Sequence, residues 1–194
     1  MTLLAAARSL APVFPLVVEN SGVTLRDERA GDVLARERLL DASFGPARFE
    51  KTCERLREGR IAARGLALSA VDGEALVGTL RFWHVEAGGV PALLLGPLAV
   101  AQGHRELGLG AALMRMGLDR AQALGHKAVI LVGDEPYYSR FGFARAHAQA
   151  LDLPGGFDPA RFLGLELTPG ALANAKGMVF ATGVLERRRT SRAA

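Results

Sequence analysis

Apolar and polar positions along this chain follow periods that define most of its elements. Val23-Thr-Leu-Arg26 alternates and predicts a first strand. Ala30–Ser43 and Arg48–Glu58 follow as helices. In the second, Phe49, Cys53 and Leu56 share one face, which assigns the Cys53 thiol to the core, and Gly59 ends it. Leu66–Val71, Ala75–Val85 and Ala92–Val100 are three strands separated by Asp72-Gly73 and by Ala87-Gly-Gly89. Asp-Gly and Gly-Gly supply the positive φ angles of tight hairpins, so these strands form an antiparallel meander. From Gly108 to Gly125 the period returns to that of a helix. Leu109, Leu113, Met116 and Leu124 lie on one face, Arg115 and Asp119 pair outside, and Gly125 is the stop. Ala128-Val-Ile-Leu-Val132 is a short continuous apolar run, the pattern of a buried parallel strand. Residues 144–185 carry another strand pair, with loops at Pro154-Gly-Gly156 and Pro169-Gly170 and Met178–Leu185 as the last strand. The class is α+β: a mixed sheet, antiparallel first, then a right-handed β-α-β crossover.

The crossover carries the chemistry. Residues 98–110, Leu-Ala-Val-Ala-Gln-Gly-His-Arg-Glu-Leu-Gly-Leu-Gly, run from a strand through a polar turn into a helix start. The first turn of a helix has backbone N–H groups without partners and the positive end of the macrodipole. Glycines at 108 and 110 let a phosphate approach those groups, and Arg105 adds a cation. A nucleoside-triphosphate loop would need Lys-Ser/Thr after the second glycine, and none follows. A dinucleotide loop would need a third glycine where Leu113 stands. A coenzyme A pyrophosphate remains, alongside the plain reading of a glycine-rich turn.

Gly133-Asp-Glu-Pro-Tyr-Tyr-Ser-Arg-Phe-Gly-Phe143 separates these readings. With it, the chain resembles the GNAT superfamily of acyl-CoA-dependent N-acetyltransferases, in particular a bacterial subgroup of predicted N-acetyltransferases. The family's Gln/Arg-x-x-Gly-x-Gly/Ala motif matches Arg105, Gly108 and Gly110. Its Tyr four residues ahead of a Gly-Phe pair matches Tyr138, Gly142 and Phe143. The resemblance covers about residues 22–185 and is strongest between 93 and 143. It implies acetyl-CoA as co-substrate, held by Leu98, Val100, Arg105, Gly108, Leu109, Gly110 and Ala111, between two splayed parallel strands. It implies Tyr138 as the acid for the departing thiolate, and backbone N–H groups near Val100 polarising the acetyl carbonyl. Tyr137 and Phe141 are read as packing. Several family members carry a glutamate base on the strand before the loop, and the matching position here is Leu94. His84, Glu86, Asp134 and Glu135 are candidate substitutes, with His84 and Glu86 expected to line the acceptor side. A water-relayed base, or none, fits this pattern better. At pH 7 a lysine-like amine is neutral only about once in 2,500, against roughly one in seven for an α-amine. A site without a strong base therefore favours weakly basic acceptors, small amines above all.

Composition narrows the rest. The chain has 194 residues, 49% apolar and 23% charged, enough for one domain with its own core, and no apolar run long enough to span a membrane. Residues 1–21 read as an N-terminal arm, 22–185 as the single domain and 186–194 as a basic tail. The net charge of +4 resides in Arg187, Arg188, Arg189 and Arg192, so it makes a tail, not a nucleic-acid-binding face. The only cysteine excludes an internal disulfide, and His84, His104, His126 and His147 are too scattered to ligate a metal. A reducing cytoplasm is expected, with no metal, membrane or nucleic-acid partner. The oligomeric state is open, a homodimer included. A catalytically idle CoA-binding or regulatory module of the same fold is the alternative that Leu94 keeps in view.

Overall fold

A computed structural model describes residues 16–18 and 21–186. The meander forms as its turns dictate: β2 (Val23–Asp27), β3 (Ala67–Asp72), β4 (Ala75–Ala87) and β5 (Val90–Val100) pair antiparallel in sequence order. Ahead of them β1 (Leu16–Val17) pairs with Leu25 and Thr24, so part of the expected arm extends the sheet. Helix α1 (Val33–Phe44) enters through a 3-10 turn at Ala30–Asp32. After β5 come α3 (Leu109–Ala123) and β6 (Ala128–Val132), which pairs parallel with β5.

The two faces of the sheet bury separate cores. One packs Leu25, Leu68, Leu80, Phe82 and Leu93 against Leu113, Met114 and Leu118 of α3. The other packs Trp83, Leu94, Ile130, Phe162 and Val179. Helix α3 lies directly on β4: a Cβ at Gly117 would come within 2.6 Å of the Phe82 ring. Its buried face is therefore rotated from the expected one. Leu109, Leu113, Met114, Gly117, Leu118 and Ala121 are buried, while Met116 and Leu124 are only partly so. Arg115 and Asp119 form no ion pair among the described residues; Arg120 pairs with Asp27 instead.

Three expectations change. The helix Arg48–Glu58 is broken into a 3-10 turn, Pro46–Glu50, and four-residue α2 (Thr52–Arg55), separated by extended Lys51. Long-range contacts hold it so: the Thr52 hydroxyl donates to the Gly156 carbonyl at 2.5 Å and Arg55 to that of Pro154 at 3.1 Å. Leu56 is buried, but Phe49 is 57% exposed and Cys53 is partly buried against the second core. Next, the strands after residue 144 do not pair with each other as one hairpin. After α4 (Glu135–Tyr138), short β7 (Leu151–Asp152) pairs with β9 (Gly177–Ala181), β8 (Phe162–Glu166) pairs with β6, and β9 also pairs with β4. Strand β4 is much longer than β3, so β9 takes up its free stretch at Val85–Ala87. Finally, β9 ends at Ala181, because the N–H groups of Thr182 and Gly183 both turn to the His84 carbonyl. The basic tail at 187–194 lies outside the described residues.

Asp32, at the start of α1, accepts from Arg26 at 2.6 and 2.9 Å and from the Arg29 N–H at 2.8 Å. The Arg26 guanidinium, helped by that N–H and opposed by burial, pulls the Asp32 carboxyl down to about 2. Its folded value lies below that of an unfolded aspartate near 3.9, so the stabilisation is complete above about pH 5 and lost as pH falls toward 2. Asp32→Asn should therefore melt lower than the parent at pH 7, with the gap closing near pH 2.5. Thermal melts across that range check it; a constant gap would contradict it.

Candidate active site

The two parallel strands of the crossover are held together only at Leu93–Val129 and Leu94–Ile130. Beyond that point they part. Opposite β4 the register jumps from Leu80–Leu98 to Phe82–Leu95, so β5 carries an extra residue around Gly96-Pro97. A bulge of this kind bends the strand and redirects its side chains, and here the Trp83 indole N–H anchors it by donating to the Gly96 carbonyl at 2.6 Å. The cleft that results opens into a cavity of about 400 Å³. Its walls are the bulge (Leu95–Leu98), the end of β6 with Gly133 and Asp134, Tyr138, the C-terminal half of α1, the α2 segment with Cys53 and Arg57, and the loop at 156–158. A volume of this size suits a small molecule.

The glycine loop sits on the same side of the sheet's split. A 3-10 turn at Gln102–Leu107 leads to Gly108, whose φ of +70° is the left-handed conformation that glycine adopts without penalty. The first bond of α3 runs from the Ala112 N–H to the Gly108 carbonyl at 3.0 Å. The N–H groups of Leu109, Gly110 and Ala111 therefore have no intrahelical acceptor, in a helix long enough to carry a macrodipole. Arg105 is exposed beside them, its Nε 3.4 Å from the Val100 carbonyl. Gly108 is exposed and Gly110 and Ala111 are half-buried, whereas the Leu109 side chain is in the core and offers the loop only its backbone. Leu98 and Val100 are half-buried along the parted stretch of β5, and Leu98 lines the cavity. These residues fit a diphosphate: an exposed cation, bare N–H groups and a glycine at the left-handed entry.

Tyr138 closes the cavity from the β6 side. It ends α4, and its ring is pressed so closely on Gly133 that a Cβ there would stand 2.1 Å from a ring carbon. Phe143 meets the same ring edge-on at 6.0 Å. Burial pushes the Tyr138 phenol up to about 12. Its hydroxyl has no hydrogen-bond partner among the described residues. Tyr137 packs edge-on against Tyr138 at 5.0 Å and under Arg140, as a packing residue should. Its hydroxyl does more than the sequence indicated: it reaches the glycine loop, 2.8 Å from where a Cβ of Gly110 would be.

The other residues that the sequence nominated are dispersed. His84 and Glu86 do not reach the cavity. They lie toward the closed end of the split, opposite Leu93 and Pro91, with the His84 ring 5.3 Å from that of His126. Counting along β4 could not reveal which end of the strand the cleft would use. Leu94 is fully buried between Trp83 and Ile130, so no base stands there. Asp134 does line the cavity, 3.1 Å from Arg161. Sequence reasoning missed the α2 side altogether: Cys53, whose thiol burial pushes up, Glu54 and Arg57. Gly96-Pro97 was a usable signal, since proline inside a strand marks a bulge or an edge. Among the described residues no three His, Cys, Asp or Glu side chains group closely enough to hold a metal ion, and no helix is long and apolar enough to cross a membrane.

Known proteins agree with this geometry. The Acetyltransferase (GNAT) family model matches residues 34–143. The uncharacterized N-acetyltransferase YhbS of Escherichia coli K12 is 34% identical over 124 residues, which cover 63% of this chain and 74% of that protein. A crystal structure of Escherichia coli YhbS in complex with CoA superposes with a TM-score of 0.69 at 32% identity, covering 82% of this chain and 89% of that one. A GNAT family acetyltransferase from Brucella melitensis, in complex with acetyl-CoA, does so with a TM-score of 0.58 at 26% identity, covering 76% and 89%. A glycine loop on a helix start, two parting parallel strands and a family model over more than half of its length agree: this chain belongs to the GNAT acetyltransferase family.

Proposed function

We propose that this protein moves an acetyl group from acetyl-CoA to a primary amine of a small molecule, by direct attack of the amine in a ternary complex, in a reducing cytoplasm. The observation that supports it is Tyr138 on the wall of a cavity that opens where the two parallel strands part, with the glycine loop following the first of those strands. Arg105, Gly108 and the N–H groups of Leu109 to Ala111 hold the diphosphate, and Leu98 and Val100 flank the pantetheine arm. Acetyl-CoA supplies the acyl group and leaves as a thiolate. Backbone N–H groups at the parted stretch of β5, near Leu98 and Val100, stabilise negative charge on the carbonyl oxygen.

Tyr138 donates a hydrogen bond to the departing sulfur. A phenol at about 12 facing a thiol near 8.5 would give up its proton uphill by roughly 5 kcal/mol. It therefore acts by a hydrogen bond that strengthens as charge develops, not by early transfer. On the other side, Leu94 supplies no base. Glu54 and Asp134 line the cavity, and each is paired with an arginine, Arg57 at 3.3 Å and Arg161 at 3.1 Å. The amine's proton passes to water, so among amines bound equally well the less basic react faster. Leu94 is also the observation behind the second reading, an idle CoA-binding module; release of free thiol from acetyl-CoA with an amine panel separates the two.

Acetyl-CoA at 100 times its dissociation constant should stabilise the protein by about 2.7 kcal/mol, a rise of roughly 5–10 °C in Tm. Gly108→Asp places a carboxylate and a strained left-handed residue at the diphosphate. It should weaken CoA binding by at least about tenfold, ~1.4 kcal/mol. A folded variant that binds CoA normally by calorimetry would move the phosphate site elsewhere.

A further inference from the structure

Among the described residues, Arg57 is the cavity-lining arginine that is both buried and faced by a single carboxylate. It follows α2, and its side chain is only 10% exposed. Its Nε donates to the Cys53 carbonyl at 3.0 Å, and its Nη2 lies 3.3 Å from Glu54. Its Nη1 donates to no described residue and points at the β5 bulge, 3.9 Å from where a Cβ of Gly96 would stand. Arg48 is held by two carboxylates, Glu37 at 2.5 Å and Asp41 at 2.8 Å, and the Arg161 side chain is half exposed beside Asp134. We infer that Arg57 is the receptor for a carboxylate on the acceptor, and that the acceptor is a compact amino-carboxylate of the α-amino-acid type.

Three features of the cavity select that chemistry. A guanidinium buried with free N–H groups is unfavourable until an anion meets it, and its planar donors match a carboxylate. Burial lowers the Arg57 pKa and Glu54 only partly restores it, so the protein leaves this cation short of negative charge. The cavity wall also carries the carboxylates of Glu54, Asp134 and Asp158, which repel a phosphate dianion more strongly than a carboxylate monoanion. Finally, about 400 Å³ must hold both the amine and the acid. A peptide amino terminus brings no α-carboxylate beside its amine, whereas an amino acid brings both on one carbon.

This inference rests on the acetyltransferase reading, and its test separates the two. Full-length protein is assayed with acetyl-CoA and standard α-amino acids, each beside its C-terminal carboxamide. The amide's amine is the less basic and, without recognition, the more reactive. The expected result is a kcat/KM at least about 30-fold higher for the best acids than for their amides. Arg57→Gln should bring that ratio to within about threefold, with acetyl-CoA affinity and Tm close to the parent, and Arg57→Lys should fall between because it lacks the fork. In parallel, N-acetyl amino acids are titrated into CoA-saturated protein by calorimetry, with and without Arg57→Gln. Binding that Arg57→Gln abolishes, with no turnover of any amine, would retain the carboxylate receptor and remove the enzyme. Equal turnover of acids and amides would retain the enzyme and overturn the receptor. The receptor is also overturned if no acid reacts or binds, or if Arg57→Gln folds and keeps the preference.

Discussion

Tyr138→Phe is expected to lower turnover by about 10²–10⁴-fold while acetyl-CoA affinity stays close to the parent. The substitution keeps the ring that packs on Gly133 and Phe143 and deletes only the hydroxyl of a residue that lines the cavity. Tyr137→Phe is the matched control. Its hydroxyl sits over Gly110 of the glycine loop, the proposed diphosphate site, so any loss should appear in acetyl-CoA affinity and little of it in kcat. The pH profile carries the same assignment. An acid must be protonated to act, and the Tyr138 phenol is pushed up to about 12 by burial, so it is protonated throughout pH 7–10. kcat/KM should therefore climb as the amine loses its proton and then hold level to about pH 10. Small and equal losses in the two variants would assign thiolate protonation to another group. A fall between pH 8 and 10 that Tyr138→Phe abolishes would contradict the buried phenol.

Glu28→Ala should cost about 3 kcal/mol of stability, the low end for breaking a buried ion pair, or roughly 6–12 °C in Tm. Its side chain is 6% exposed and bonds both Arg36 of α1 and Arg81 of β4, the latter through Nε at 2.7 Å. Without it Arg81 is left uncompensated, while Arg36 keeps Glu37 at 2.7 Å. The pairing ties α1, whose Leu40 and Phe44 line the cavity, to the sheet. Glu28→Met combined with Arg81→Met should recover much of the loss, because an apolar pair removes both charges together. A Glu28→Ala melt within about 1 °C of the parent would mean the cluster behaves as a solvated surface pair.

Local signals carried far in this chain, because each rests on a physical effect that operates within a few residues. Asp72-Gly73 and Gly88-Gly89 closed the hairpins since their positive φ angles are cheap for glycine and fit the strand twist. Val90–Val100, Leu109–Ala123 and Ala128–Val132 matched their periods within a few residues, and that strand–helix–strand order alone sets the handedness of the crossover and puts Gly108 at a helix start. Hence the family was legible in the sequence, and so were the glycine loop and Tyr138 as candidates.

What the tertiary structure decided depends on residues far apart in the chain. Periodicity made Arg48–Glu58 a helix, but Thr52 bonds Gly156 across the fold and the segment breaks, turning Cys53 and Arg57 toward the cavity. The partner of β9 followed from the unequal lengths of β3 and β4, a mismatch visible only once both are paired. His84 and Glu86 lie on the right strand but toward the end away from the opening, since the split begins beyond Leu94 and the bulge at Gly96-Pro97 directs it. By itself, then, the sequence determined most elements and their order from Val23 to Val132, and nominated the glycine loop, because turns, caps and periodicity are local. The acceptor wall was decided by long-range packing, because a residue such as Arg57 becomes a receptor only through what the fold places opposite it.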